Sequence, residues 1–156
     1  MQAIARFLLP ALLLAAFTAH AQALDKKNVE KFLTEMDQAQ INLDAAGMEK
    51  FLSPGVKITM SITQGGKKQT TEMSRGEYIA SARQNFAAAK DYRYQRSNTK
   101  IEIAGGGKKA VVTAKNVESM KVQGLPMTGI SQVTLTVELI DGQPLVTSVM
   151  ADGTVK

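Results

Sequence analysis

The apolar residues of this chain first change their spacing near Ser53-Pro54-Gly55, from steps of three and four to steps of two. The first spacing lines one side of a helix, and the second lines one face of a strand. A chain that does one and then the other is confined to helices packed on a sheet. From Asp25 to about Asn42 the helical stripe is Val29, Phe32, Leu33, Met36, Ile41 and Leu43, with Asp25 placed to cap its start. Asp44 is placed to cap a shorter helix with Met48, Phe51 and Leu52 on its apolar face, and Ser53-Pro54-Gly55 is expected to stop it. Beyond that point Val56, Ile58, Met60 and Ile62 point one way while Lys57, Thr59, Ser61 and Thr63 point the other, as in a half-buried strand.

Gly65-Gly66 suits a tight hairpin, so Lys67 to Met73 is expected to return as a polar edge strand. Ser74 and Glu77 have the spacing of a capping box, opening a third helix with the stripe Tyr78, Ile79, Ala82, Phe86 and Ala89. Four strands are expected after it, at Tyr92 to Ala104, Lys109 to Met120, Ile130 to Ile140 and Gln143 to Met150. Their joins fall at Gly105-Gly106-Gly107, around Gly124-Leu125-Pro126, and at Asp141-Gly142. One register conflict stands out: Tyr92 and Tyr94 are even-numbered, whereas Ile101 and Ile103 are odd. Either a bulge near Ser97-Asn98 brings them to one face, or the tyrosines face away from the isoleucines.

Composition narrows the chemistry. The chain has no cysteine, which excludes a disulfide framework, a thiolate nucleophile, a zinc finger and an iron-sulfur centre. Its only histidine, His20, lies in a stretch that reads as a secretory leader: Arg6, an apolar run from Phe7 to Phe17, and small-x-small sites at Ala19 to Ala21 and Ala21 to Ala23. That run is eleven residues, against about 20 for a membrane span. Residues 1–23 are therefore expected to be removed and 24–156 to fold as one domain, periplasmic or secreted, with no membrane contact after cleavage. Losing Arg6 lowers the net charge only from +5 to +4. None of Asn28, Asn42, Asn85, Asn98 and Asn116 begins a glycosylation sequon, which favours a bacterial periplasm.

Helix, helix, strand, strand, helix and a four-stranded antiparallel meander, with Asn42-Leu43-Asp44 leading to Phe51-Leu52-Ser53-Pro54-Gly55-Val56, resemble the nuclear transport factor 2-like superfamily. This superfamily includes the SnoaL-like and ketosteroid-isomerase-like proteins. The resemblance covers Leu24 to Met150 and implies an α+β, cone-shaped fold: a curved antiparallel sheet wrapped around the N-terminal helices, an internal pocket, and dimerisation through the outer sheet face. Laying the isomerases' catalytic carboxylate onto this chain puts Met60 at its position, with no acid among its neighbours, and Tyr78, Tyr92 and Tyr94 lie on later elements than the expected phenol. The Asp-Arg-Asp arrangement of the superfamily's epoxide hydrolases has partial counterparts in Arg96 with Glu118 or Glu138.

No catalytic residue is assigned. The candidate ligand-binding residues are Met36, Gln40, Tyr92, Tyr94, Arg96, Leu125 and Met127. Asp37 and Gln40 sit at the edge of the first helix's stripe, where a side chain either lines a pocket or reaches water. Tyr92, Tyr94 and Arg96 alternate along one strand, as a pocket wall or a packing ladder would. Met120 to Ile130 is unusually apolar for a hairpin tip, which suits a lip over the pocket, a partner contact, or strands that extend and fold back on the core.

Met36, Met48, Met60, Met73, Met120, Met127 and Met150 are scattered, which points to core packing rather than a copper site, and no metal or other cofactor is expected. The loops Gly65-Gly66-Lys67-Lys68 and Gly106-Gly107-Lys108-Lys109 lead into strands rather than helices, so they read as hairpin tips and not phosphate cradles. Without aromatic interleaving the mild positive charge does not indicate nucleic-acid binding. The sequence thus reads as an exported, non-catalytic domain that binds a small apolar molecule or a protein partner, with homodimerisation expected. The alternatives are a SnoaL-like isomerase or hydrolase, and an interaction or inhibitor protein using the outer face at Thr134, Thr136 and Glu138.

Overall fold

The computed structural model describes residues 23–156, so the expected leader lies outside the described residues except for Ala23. In chain order the elements are α1 (Lys26–Ile41), α2 (Ala45–Glu49), β1 (Leu52–Gln64), β2 (Lys67–Met73), α3 (Arg75–Ala88), β3 (Lys90–Ala104), β4 (Lys109–Val122), β5 (Leu125–Ile140) and β6 (Gln143–Val155), with a 3-10 turn at Gly105–Gly107. The six strands form one curved, unclosed sheet in the order β2-β1-β6-β5-β4-β3. Every neighbouring pair is antiparallel except β1 and β6. Against it α1 packs on β3, while α3 packs on β1 and β2.

Local chemistry sets the helix starts. Asp25 accepts from the Asn28 amide at 2.7 Å while Asn28 Oδ1 accepts from the Asp25 amide at 2.9 Å, and Ser74 with Glu77 makes the same reciprocal cap. Asp44 accepts from the Gly47 amide at 2.8 Å, starting α2.

The concave face is ordered by register. Ala114, Val133, Ala151 and Met60 stand side by side across β4, β5, β6 and β1, and Val112, Leu135, Val149 and Ile58 form the next row. With Val29, Phe32 and Leu33 of α1 these rows make the core, and Phe32 meets Phe51 edge to face at 5.3 Å. The convex face carries Thr134, Thr136 and Glu138, which alternate with buried Val133, Leu135 and Val137.

Four expectations need correction. Ile41 is 44% exposed, because α1 ends there and the buried position on its last turn is Ala39. Leu43 lies past the helix with φ 55, in the left-handed turn that reverses the chain. Leu52 begins β1 rather than ending α2, and Ser53-Pro54-Gly55 stays inside the strand. There the pairing with β6 jumps from Leu52 to Lys57, so the proline's missing N–H falls where the ladder is interrupted. Finally, β5 begins at Leu125 and pairs back through Lys121↔Pro126 and Met120↔Met127, the turn being only Gln123-Gly124, with φ 53 and 83. The apolar tip is thus two paired strand ends.

The register conflict in β3 resolves as a bulge. Pairing with β4 shifts between Ser97 and Lys100, and Asn98 takes φ 53. Ile101 consequently packs against the core while Tyr94 and Arg96 line a cavity on the same side.

Candidate functional site

Between the helices and the concave face lie two abutting spaces. The inner one, of about 110 Å³, is lined by Met36, Asp37, Tyr94, Arg96, Asn116 and Ser131 above an apolar floor that includes Val112, Val133 and Leu135. The outer one, of about 560 Å³, runs between α3, β2 and the β4–β5 tip and is lined by Met73, Phe86, Tyr92, Met120, Val122 and Met127 among others. Gln40, Met48, Met60, Tyr78 and Glu118 belong to both walls. Apolar walls with a few polar groups are the usual make-up of a small-molecule site.

The polar groups come from two cross-strand pairs. In β3 and β4, Arg96 stands opposite Asn116 and Tyr94 opposite Glu118, the β3 bulge having set their facing. Arg96 Nη2 donates to Asp37 Oδ1 at 2.5 Å, with only 7% of the arginine side chain and 22% of the aspartate exposed. This ion pair also borders an open groove of about 750 Å³ between α1 and β3, so it stands as a wall between that groove and the inner chamber. Burial nevertheless raises the Asp37 carboxyl above its ordinary value, outweighing the opposing pull of Arg96 and Tyr94.

Two buried atoms of this wall, Arg96 Nη1 and Asn116 Oδ1, have no hydrogen-bond partner. Unmet buried groups are costly, which makes these a ready donor and acceptor for an occupant.

Glu118 is the second half-buried carboxyl of these walls. Desolvation raises it, and the Tyr92 hydroxyl partly opposes the rise. That phenol accepts from Gln40 Nε2 at 2.6 Å, leaving its own hydrogen to donate. The Tyr78 hydroxyl is pushed up to about 12, first by burial and then by the nearby Glu118 charge. Tyr92 and Tyr94 are also raised, chiefly by burial.

Of the sequence candidates, Met36, Gln40, Tyr94 and Arg96 come together on the inner wall, and Gln40, Tyr92 and Met127 on the outer. Leu125 joins neither: it stands at the far end of the tip, 68% exposed. Asp37 proves to be a pocket-wall residue held by Arg96, with its other side on the open α1–β3 groove. Glu138 is on the convex face, away from Arg96. Asn116 was missed, although parity could have found it: Ala110, Val112 and Ala114 face the core, and Asn116 and Glu118 continue the same alternation.

A sequence model of the SnoaL-like domain matches residues 29–143. No curated protein matches the chain. Among solved structures it is similar to a proposed scytalone dehydratase from Novosphingobium aromaticivorans DSM 12444, with a TM-score of 0.68, 12% identity, and coverage of 83% of this chain and 85% of the other. It is also similar to an NTF2-like protein of unknown function from Pseudomonas putida KT2440 (TM-score 0.65, 12% identity, covering 81% and 84%). A third is an NTF2-like protein from Cytophaga hutchinsonii ATCC 33406 (TM-score 0.63, 14% identity, covering 83% and 98%). At these identities the likeness establishes a shared fold. The match to the domain across most of the chain, on the cone-shaped NTF2-like fold described above, makes this protein a member of the SnoaL-like domain family.

Proposed function

We propose that the protein binds a small, largely apolar molecule inside the cone. The observation that carries this reading is the pair of abutting chambers, whose walls are mostly methionine, aromatic and aliphatic side chains around a few polar groups. Equilibrium binding of a neutral naphthyl alcohol, followed by calorimetry, tests it. Met127→Ser should weaken binding by about tenfold through lost apolar contact in the outer wall. Leu125→Ser should leave binding unchanged and cost under about 0.5 kcal/mol of stability, because Leu125 is 68% exposed. Equal loss in both variants would place binding at the tip instead of the chamber.

The leader expectation extends the proposal: the binder works outside the cytoplasm. Expression of the full chain with its leader should yield a soluble product beginning at Gln22 or Leu24 by intact mass. Retention of Met1 in a membrane fraction would refute export.

The isomerase or hydrolase reading is favoured by one feature: Glu118 and Arg96 share the inner wall. A carboxyl that can exchange a proton and a free guanidinium N–H that can hold an oxygen are the parts acid–base chemistry needs. Turnover of a bound compound that disappears in Glu118→Gln, with binding retained, would establish it.

A further inference from the structure

The methionines and tyrosines converge on one place. Met36, Met48, Met60, Met73, Met120 and Met127 all line the two chambers despite their scatter in sequence, and so do Tyr78, Tyr92 and Tyr94. The chain has 3 tyrosines in all, so its phenols are committed to this cavity. Glu118 lies where the chambers meet, in both walls.

Its surroundings lack a counter-charge. Among the described residues no ion pair includes Glu118. On the facing strand Arg96 stands two pairs along from the Tyr94↔Glu118 position, on the same face, and it directs Nη2 to Asp37 and not to Glu118. Tyr92 shares the outer wall with it and brings a hydroxyl but no charge, and Tyr78 is close enough to feel the carboxylate. A half-buried carboxylate in a largely apolar wall with no paired cation is unfavourable, and a cation delivered by an occupant relieves it.

From this placement we infer that the molecule bound in the cone is an organic amine: an apolar body against the methionines of the outer chamber, with its ammonium group on Glu118. The inference rests on the cavity-binding reading above and names the chemistry of the ligand. The phenol of Tyr92 and the rings of Tyr78 and Phe86 share the outer wall with Glu118, and aromatic rings attract cations. Phe86 and Tyr92 are fixed against each other at 6.0 Å in an edge-to-face contact, which holds that side of the wall.

Two other occupants fit less well. A metal ion needs several hard ligands, and among the described residues no group of three His, Cys, Asp or Glu side chains is placed to hold one. An anion on the unpartnered Arg96 Nη1 would sit beside Asp37 and add negative charge near Glu118 as well.

Three probes with one ring system separate the possibilities: 1-naphthylmethylamine, 1-naphthylmethanol and 1-naphthoate, each titrated into the full chain at neutral pH. The amine should bind about tenfold or more tightly than the alcohol, and the carboxylate most weakly. Glu118→Gln should erase the amine's advantage over the alcohol, and Glu138→Gln, on the convex face, should keep the advantage intact. Equal affinity for amine and alcohol, tightest binding of the carboxylate, or an amine preference that survives Glu118→Gln would overturn the inference while leaving cavity binding standing. Failure of all three probes would overturn both. The amine-to-alcohol ratio is read in the native chain, so the test stands even if Glu118→Gln does not fold.

Discussion

Asp37→Ala should lower the melting temperature by on the order of 10–20 °C, the largest loss expected from any single change in the cavity wall. The reason lies in what remains. The Arg96 side chain is only 7% exposed, and one of its terminal nitrogens already lacks a partner. Taking away Asp37 leaves the whole guanidinium charge buried and uncompensated, which costs about 3–5 kcal/mol. The double variant Asp37→Leu with Arg96→Met should recover most of that loss, since it removes both charges and keeps the volume. Thermal unfolding followed by circular dichroism reads both. A small drop for Asp37→Ala would mean that water from the α1–β3 groove reaches Arg96 and solvates it.

Phe32→Ala should cost about 3–5 kcal/mol, as truncation of a buried ring does. Phe32 is 6% exposed at the centre of the α1 stripe and meets Phe51 just before β1, so the ring ties the first helix to the start of the sheet. Ile41→Ala should cost under about 1 kcal/mol, although the sequence stripe includes both residues. Urea unfolding gives the two values side by side, and similar costs would show that α1 continues to bury side chains past Ala39.

That contrast marks how far the sequence could be read. Periodicity located every helix and strand, because a buried stripe or face must repeat with the geometry of its element. The caps at Asp25, Asp44 and Ser74 were legible for the same local reason. Boundaries were harder. Nothing local says that Pro54 can sit within a strand, since that depends on the ladder being broken opposite it by β6, some ninety residues later in the chain. The tyrosine and arginine side of β3 was readable only as one of two registers, and the β4 pairing that selects the bulge is again long-range. The candidate site shows the same division. Met36, Gln40, Tyr94 and Arg96 could be named from stripes and alternation, but the pairing of Arg96 with Asp37 and the gathering of six methionines depend on curvature, which no window of sequence contains.

The parallel contact between β1 and β6 has a consequence in time. Met60 meets Ala151 and Ile58 meets Val149, so one of the first strands made is seated against the last one made. The β1–β2 hairpin has β6 as its only other neighbour in the sheet, whereas β3 to β6 can zip together as a meander of adjacent hairpins. Contacts of such sequence separation carry a large loop-closure cost and slow folding. The N-terminal third of the chain therefore waits, with Val56 and Ile58 unsheltered, until Gln143–Val155 has been synthesised and placed. A chain built this way completes its sheet only when its last strand is in place.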